Sequence, residues 1–146
     1  MSSAVIDANI AIYCVIPSQP HAAALELLER LVQQEVELYV PHLWLVEVTM
    51  GIRKAIAAGY LSGESGDLTL EAALNLPVQI IPEDAVICRR ALSWADRLGQ
   101  TAAYDAVYLA LAESLNADFY TADRQLFNRW KDLGVDFVKC LKSTEP

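Results

Sequence analysis

The most informative segment of the sequence is Thr101-Ala-Ala-Tyr-Asp-Ala-Val-Tyr-Leu-Ala-Leu-Ala-Glu-Ser-Leu-Asn-Ala-Asp-Phe-Tyr-Thr-Ala-Asp-Arg-Gln-Leu-Phe127. Its pattern predicts a helix, a short strand over Asp118–Thr121 and the start of a second helix. The residues from Ala106 to Ala112 leave the first helix almost no polar face, so we expect it to be buried against a sheet. Asp105 falls in the first turn of this helix, and Asp123 follows the strand. The stretch therefore predicts one carboxylate at a helix start and another at a strand end.

Strands and helices alternate along the rest of the chain. The predicted strands are Ala4–Ile6, Glu37–Val40, Val78–Ile81, Asp118–Thr121 and Val135–Val138. Further helices are predicted at Ile10–Val15, His21–Gln34, His42–Ala55, Gly66–Leu76 and Glu83–Leu98, of which His42–Ala55 should be mostly buried. Such alternation is typical of a parallel sheet covered by helices. We therefore expect an α/β fold, a three-layer α/β/α sandwich with a mostly parallel sheet of about five strands, in a single domain over residues 1–142 with a frayed tail at 143–146.

Length and composition indicate the class of protein. A chain of 146 residues that is 54% hydrophobic suits one globular domain. No apolar run approaches the roughly 18 residues of a membrane span, so we expect a soluble, cytoplasmic protein with no membrane partner. The chain has three cysteines, an odd number, and they lie far apart in apolar surroundings at Cys14, Cys88 and Cys140. This pattern predicts buried thiols in a reducing compartment.

The net charge of -8 has the wrong sign for a protein that holds nucleic acid by broad electrostatics. Any nucleic-acid partner would need a local basic patch or a bridging cation.

Four acids lie in apolar surroundings: Asp7, Glu47, Asp105 and Asp123. Carboxylates gathered in a partly dry pocket repel one another, so protons or cations must neutralise them. Because no nearby His or Cys supplies softer atoms, the oxygen ligands favour Mg²⁺ or Mn²⁺. Such an acidic site commonly cleaves phosphodiesters, since the metal orients and activates water and offsets charge at phosphorus.

Two alternatives remain open from the residues. Each acid alone could be a helix cap or a solvated residue, and Asp105 and Asp123 could both be N-terminal helix acids. A phospho-acceptor signalling domain also places an acidic pocket on a parallel sheet. It requires paired acids after the first strand, however, whereas Asp7 stands alone there.

Four segments together resemble the PIN-domain family, specifically the VapC-type toxins of bacterial toxin–antitoxin pairs. They are Val5-Ile6-Asp7-Ala8-Asn9, the helical Glu47, Tyr104-Asp-Ala-Val-Tyr-Leu-Ala-Leu-Ala112 and Phe119-Tyr-Thr-Ala-Asp-Arg-Gln-Leu126. The resemblance covers essentially the whole chain in the family's order, and it implies a PIN-like sandwich.

The resemblance implies a Mg²⁺-dependent (or Mn²⁺-dependent) ribonuclease that leaves 5′-phosphate and 3′-hydroxyl ends. Its catalytic, metal-binding acids would be Asp7, Glu47, Asp105 and Asp123, with Asn9 and Thr121 as polar supports that orient acids or water. Arg124 follows Asp123 directly and is a candidate for contacting an RNA phosphate.

The resemblance also implies a homodimer and a small antitoxin that binds across the active site. Since the acids attract positive charge, we expect the antitoxin to insert a cationic segment among them. A catalytically silent PIN-like module that only binds a partner protein is the alternative.

Overall fold

Five strands form one sheet in the computed structural model, which describes residues 2–17, 20–99 and 104–142. The strands are β1 (Ser3–Ile6), β2 (Glu37–Pro41), β3 (Gln79–Ile81), β4 (Asp118–Thr121) and β5 (Val138–Cys140). Their order is β3-β2-β1-β4-β5, and all four neighbouring pairs are parallel. The predicted α/β fold with a parallel sheet of five strands is confirmed.

Helices cover both faces of this sheet. They are α1 (Ala8–Val15), α2 (His21–Gln33), α3 (Leu43–Ala57), α4 (Gly66–Leu74), α5 (Ala85–Leu98), α6 (Tyr104–Leu115) and α7 (Arg124–Asp132). Side chains alternate along β4: Phe119 stacks on Tyr108 of α6 and packs against Trp130 of α7, with ring centroids 5.3 and 5.9 Å apart. The next residue, Tyr120, faces α2 instead. The sheet therefore forms the middle of three layers.

Large apolar side chains fill the space between the layers. Trp44, Trp94 and Trp130 are all buried. Helices α1 and α3 approach closely because Gly51 has no side chain, and a Cβ there would overlap Ile12. This contact fixes α3 against the helix that follows β1.

The last strand differs from its prediction. We expected it over Val135–Val138, but β5 spans Val138–Cys140. Gly134 is left-handed at φ 83°, and the amide of Val135 donates to the carbonyl of Trp130 at 3.0 Å. Val135 thus belongs to the C-terminal cap of α7, where a glycine is commonly followed by an apolar residue.

Two burial predictions were also wrong. Helix α3 was expected to be mostly buried, yet Val46 and Met50 are 57% and 54% exposed, because only one stripe of the helix faces the core. Of the three free cysteines, Cys14 is buried and Cys140 half-buried, but Cys88 is exposed because it lies on the outer face of α5. The predicted tail at 143–146 lies outside the described residues, as do residues 101–103 at the start of the segment Thr101–Phe127.

Candidate active site

The site lies where the strand order reverses. The chain runs outward from β1 through β2 to β3 and then returns to β4 on the other side of β1, so the loops after β1 and β4 diverge. Asp7 follows β1 and Asp123 follows β4, and the amide of Asp7 donates to the carbonyl of Tyr120 at 2.9 Å. Asp105 lies in the first turn of α6, and Glu47 lies on α3 after β2. Four separate segments therefore each bring one acid.

The hydroxyl of Thr121 holds Asp7 in place. It donates to Oδ2 of Asp7 at 2.8 Å and accepts from the side-chain amide of Asn9 at 3.3 Å and from the backbone amide of Asp123 at 3.1 Å. Oδ1 of Asn9 in turn accepts from the amide of Ala122 at 3.1 Å. Asn9 and Thr121 thus occupy positions suited to orienting acids or water, the role that the resemblance implies for them. That role stays a prediction.

Glu47 is held by a partner that the sequence did not single out. The hydroxyl of Tyr108 donates to Oε1 of Glu47 at 2.6 Å, and the tyrosine is 1% exposed. Burial, followed by the charges of Asp7 and Glu47, raises the pKa of Tyr108, so its hydroxyl keeps its proton. At neutral pH the tyrosine therefore has a proton to donate to this carboxylate.

The acids perturb one another. Burial raises the pKa of Asp7 to about 7; the Thr121 hydrogen bond opposes this shift, and the charges of Glu47 and Asp105 add to it. Burial also raises the pKa of Glu47, where the Tyr108 hydrogen bond opposes the shift and the charge of Asp105 adds to it. These couplings show that the carboxylates lie within electrostatic reach of one another.

Asp105 faces an acid and a cation. Burial and then the charge of Asp123 raise its pKa, whereas Arg129 of α7 lowers it. Arg129 is thus a charged residue near the acids that sequence analysis missed. It lies five residues after Arg124, the residue predicted to contact an RNA phosphate. The sequence alone does not show which face of this helix is turned toward the acids.

Two predicted residues have structural partners of their own. Oδ1 of Asp123 accepts from the amide of Leu126 at 3.0 Å, so this acid caps α7. The guanidinium of Arg124 lies 3.5 Å from the carbonyl oxygen of Leu141 and over the ring of Phe127. A metal role for Asp123 and a phosphate contact for Arg124 stay predictions.

The donor set fits a hard cation. Asp7, Glu47, Asp105 and Asp123 offer only carboxylate oxygens, which suit Mg²⁺ or Mn²⁺. Within residues 2–17, 20–99 and 104–142, no three His, Cys, Asp or Glu side chains are already gathered closely enough to hold a metal ion. A cation would therefore have to draw the repelling carboxylates together.

Helix α3 carries a cap from a distant loop. The carboxylate of Glu83, which follows β3, accepts from the amides of His42 and Leu43 at 2.6 and 3.2 Å. An acid at this position also complements the helix dipole. Because Glu47 lies one turn further along, Glu83 helps to fix the helix that presents it.

Comparison with known proteins identifies the family. The PIN domain family matches residues 4–132. Ribonuclease VapC9 from Mycobacterium tuberculosis is 36% identical over 89 residues, which cover 61% of this chain and 67% of that protein.

Solved structures share the fold. The VapBC2 structure from Rickettsia felis, bound to a DNA fragment from its promoter, matches with a TM-score of 0.70 at 16% identity and covers 96% of this chain and 99% of that one. VapBC-1 from nontypeable Haemophilus influenzae matches with a TM-score of 0.64 at 20% identity, over 95% and 98% of the two chains. The resemblance seen in the sequence is confirmed, and the chain belongs to the PIN domain family.

Proposed function

We propose that this protein is a VapC-type endoribonuclease that hydrolyses RNA phosphodiester bonds with Mg²⁺ or Mn²⁺, and that it is the toxin of a toxin–antitoxin pair. The observation that carries this proposal is that Asp7, Glu47 and Asp105 come from three separate segments to one edge of the sheet, where burial and the charges of neighbouring acids raise their pKa values. Asp123 precedes α7 and its charge acts on Asp105. The relative named Ribonuclease VapC9 supports the same activity.

The proposed metal ligands are Asp7, Glu47, Asp105 and Asp123. When bound, the cation would orient and activate the attacking water and offset negative charge on the phosphate. Thr121 holds the carboxylate of Asp7 through a 2.8 Å hydrogen bond, and Tyr108 holds that of Glu47 through one of 2.6 Å. The proposed ligands Asp7 and Glu47 would thus have hydrogen-bonded supports behind them, as metal ligands in proteins commonly do.

Cleavage of RNA by the purified protein tests the proposal. We expect activity with Mg²⁺ or Mn²⁺, none with excess EDTA, and loss of activity in Asp7→Asn and Asp105→Asn variants whose circular dichroism stays that of a folded protein. Products should carry 5′-phosphate and 3′-hydroxyl ends. Cleavage that survives EDTA would refute the metal route, and a folded wild type without nuclease activity would favour the silent binding module.

The partner is proposed to be a small antitoxin with a cationic segment. The support is the chain's net charge of -8, the neighbouring acids Asp7, Glu47 and Asp105, and the structural likeness to VapBC proteins. Inhibition by the partner should weaken as salt rises. Equal binding to a variant with Asp7, Asp105 and Asp123 all changed to Asn would show that these acids are not its anchor.

A homodimer is proposed as well. The exposed Val46 and Met50 lie one turn apart on α3 and offer an apolar surface for a second copy. Light scattering should show a dimer in the wild type and a shift toward monomer in Val46→Ser/Met50→Ser.

No helix of the described ranges is long and apolar enough to cross a membrane. The cytoplasmic location and the single domain over residues 1–142 stay predictions.

A further inference from the structure

A pocket of about 230 Å³ opens between α2 and the ends of β4 and β5. Arg30 of α2 lines one side, and Lys139 and Lys142 line the other; Glu26 is the acid in the same wall. These are three of only 11 Lys and Arg residues in a chain of net charge -8. A small concave surface that concentrates cations on an acidic protein produces a local positive potential.

The floor of this cationic pocket is fixed by the sheet. Tyr120 of β4 and Lys139 of β5 are partners in the parallel register, and both line the pocket. The charge of Asp118 raises the pKa of Tyr120, and the charge of Arg30 lowers it. Asp118 therefore lies near enough to the pocket to offset part of its positive charge. Three cations against the two acids Glu26 and Asp118 leave the pocket net positive.

The pocket lies beside the end of β4, close to Thr121 and Asp123. Its wall residue Leu141 donates through its amide to the carbonyl of Thr121 at 2.8 Å, and the hydroxyl of Thr121 holds Asp7. Cys140, another wall residue, lies within electrostatic reach of Arg124 and Asp123. One strand end therefore separates a cationic surface from the acidic one.

We propose that the cationic pocket binds the phosphodiester backbone of the RNA next to the bond that is cut. The inference rests on the proposed function and adds a substrate subsite to it. An acidic protein repels RNA as the strand approaches, and a cationic surface beside the acids offsets that repulsion and fixes the register of the strand. The volume is small beside the roughly 300–1,000 Å³ of pockets for whole ligands, and it suits one segment of a chain.

An acidic segment of a protein partner would find the same cations. RNA is favoured because the pocket adjoins carboxylates whose proposed substrate is a phosphodiester. The proposed antitoxin segment is itself cationic, so the pocket would repel it.

The test compares two double variants of equal charge. Lys139→Gln/Lys142→Gln removes two exposed cations of the pocket, and Lys54→Gln/Arg89→Gln removes two exposed cations on α3 and α5. Binding of a short single-stranded RNA is measured by fluorescence anisotropy in EDTA, and KM and kcat are measured with Mn²⁺, both over a range of salt.

The pocket variant should bind more weakly with a shallower salt dependence. Each phosphate contact contributes about 0.7 to the slope of log K against log salt for single strands, so two lost contacts should lower the slope by about 1.4. This corresponds to a loss of about 25-fold at roughly 0.1 M salt that shrinks toward 1 M. KM should rise in the same proportion with kcat kept, and the α3/α5 control should stay near wild type.

Two results would overturn the proposal. If the pocket variant and the control weaken RNA binding equally, only net charge matters and the pocket is not a site. If RNA binding is unchanged but an acidic protein partner is lost, the pocket belongs to that partner. A wild type that binds RNA through the pocket without cleaving it would instead refute the proposed nuclease function and leave the binding site standing.

Discussion

The hydroxyl of Tyr108 lies 2.6 Å from Oε1 of Glu47 and joins α6 to α3 across 61 positions of the sequence. The tyrosine is 1% exposed and stacks on Phe119, so its ring cannot move away from the acid. A half-buried carboxylate loses part of the stabilisation that water gives its charge, and a hydrogen bond from a fixed donor replaces some of that stabilisation. Tyr108 therefore both packs the core and positions one of the four acids.

Replacing Tyr108 by Phe should remove this donor while keeping the ring. A hydrogen bond to a charged group contributes roughly 1.5–3 kcal/mol, so we expect a loss of that order in the free energy of unfolding, measured by urea denaturation. The bond also opposes the raised pKa of Glu47. Without it that pKa should rise further, a proton should compete better with metal, and the acidic limb of the cleavage pH profile should move to higher pH.

Tyr39→Phe is the matched control. Its hydroxyl donates to Oε2 of Glu37 at 2.7 Å, on β2 and away from the four acids. This variant should leave the pH profile of cleavage unchanged. An equal shift of the profile in both variants would show that Tyr108 has no specific role toward Glu47.

Sequence analysis could place Asp7 and Asp123 because the signals are local. Asp7 directly follows the short apolar run Ala4–Ile6, and Asp123 follows a run rich in strand-forming residues, Phe119–Thr121. Parallel strands bring such ends to one edge of the sheet. The Tyr108 contact has no local signal, since a phenol on an apolar helix face looks like any core aromatic. It depends on how α3 crosses α6, which is a property of the packed fold. Arg129 was missed for the same reason, because the orientation of α7 decides whether it faces Asp105.

The apolar run after Gly134 shows that a local pattern can be interpreted as the wrong element. The apolar run that predicted a strand from Val135 instead begins with the residue that closes the α7 cap after Gly134. The Leu-Gly-Val sequence at 133–135 is itself typical of such a cap and could have moved the predicted strand toward Val138.

Asp123 caps α7, so its cap and its proposed metal role must be separated. Asparagine is also a good N-cap, whereas alanine costs about 0.5–2 kcal/mol at such a position. We expect Asp123→Asn to melt near wild type but to lose cleavage, and Asp123→Ala to lose both. Thermal melts and RNA cleavage on the two variants check this.

Asp84 provides a matched control for the cap. It accepts from the amide of Ile87 at 2.9 Å and caps α5 in the same way. Asp84→Ala should cost similar stability, and both Asp84→Asn and Asp84→Ala should retain cleavage. If Asp123→Asn cleaves RNA as well as wild type does, Asp123 is a cap alone.

The raised pKa of Asp7 predicts a pH-dependent stability. Since the carboxyl titrates at about 7 in the folded protein and near its ordinary 3.8 when unfolded, the folded state binds more protons between these values. Its contribution to stability is therefore present at low pH and is lost as pH rises toward 7. Asp7→Asn cannot ionise and can still accept the Thr121 hydrogen bond, so it should avoid this loss.

Urea unfolding in EDTA at about pH 5 and about pH 8 measures the effect. Relative to wild type, Asp7→Asn should gain roughly 3 kcal/mol between the two pH values, at about 1.36 kcal/mol per pKa unit. Asp96→Asn removes one exposed acid of α5 and should follow the wild type. A wild type and an Asp7→Asn variant with parallel pH dependence would contradict the raised pKa.

Metal should reverse the stability cost of the clustered acids. Without metal, Asp105→Asn removes one member of a mutually repelling set and should melt at or above wild type. A cation that binds only the folded state adds about 2.7 kcal/mol at a hundredfold excess over Kd, which for a domain of this size raises Tm by roughly 5–10 °C. Wild type should therefore gain melting temperature with Mn²⁺ or Mg²⁺, and Asp105→Asn should gain much less. Melts of the two proteins with and without metal decide the matter: if metal-free Asp105→Asn melts far below wild type, Asp105 stabilises the start of α6 and its proposed role as a metal ligand fails.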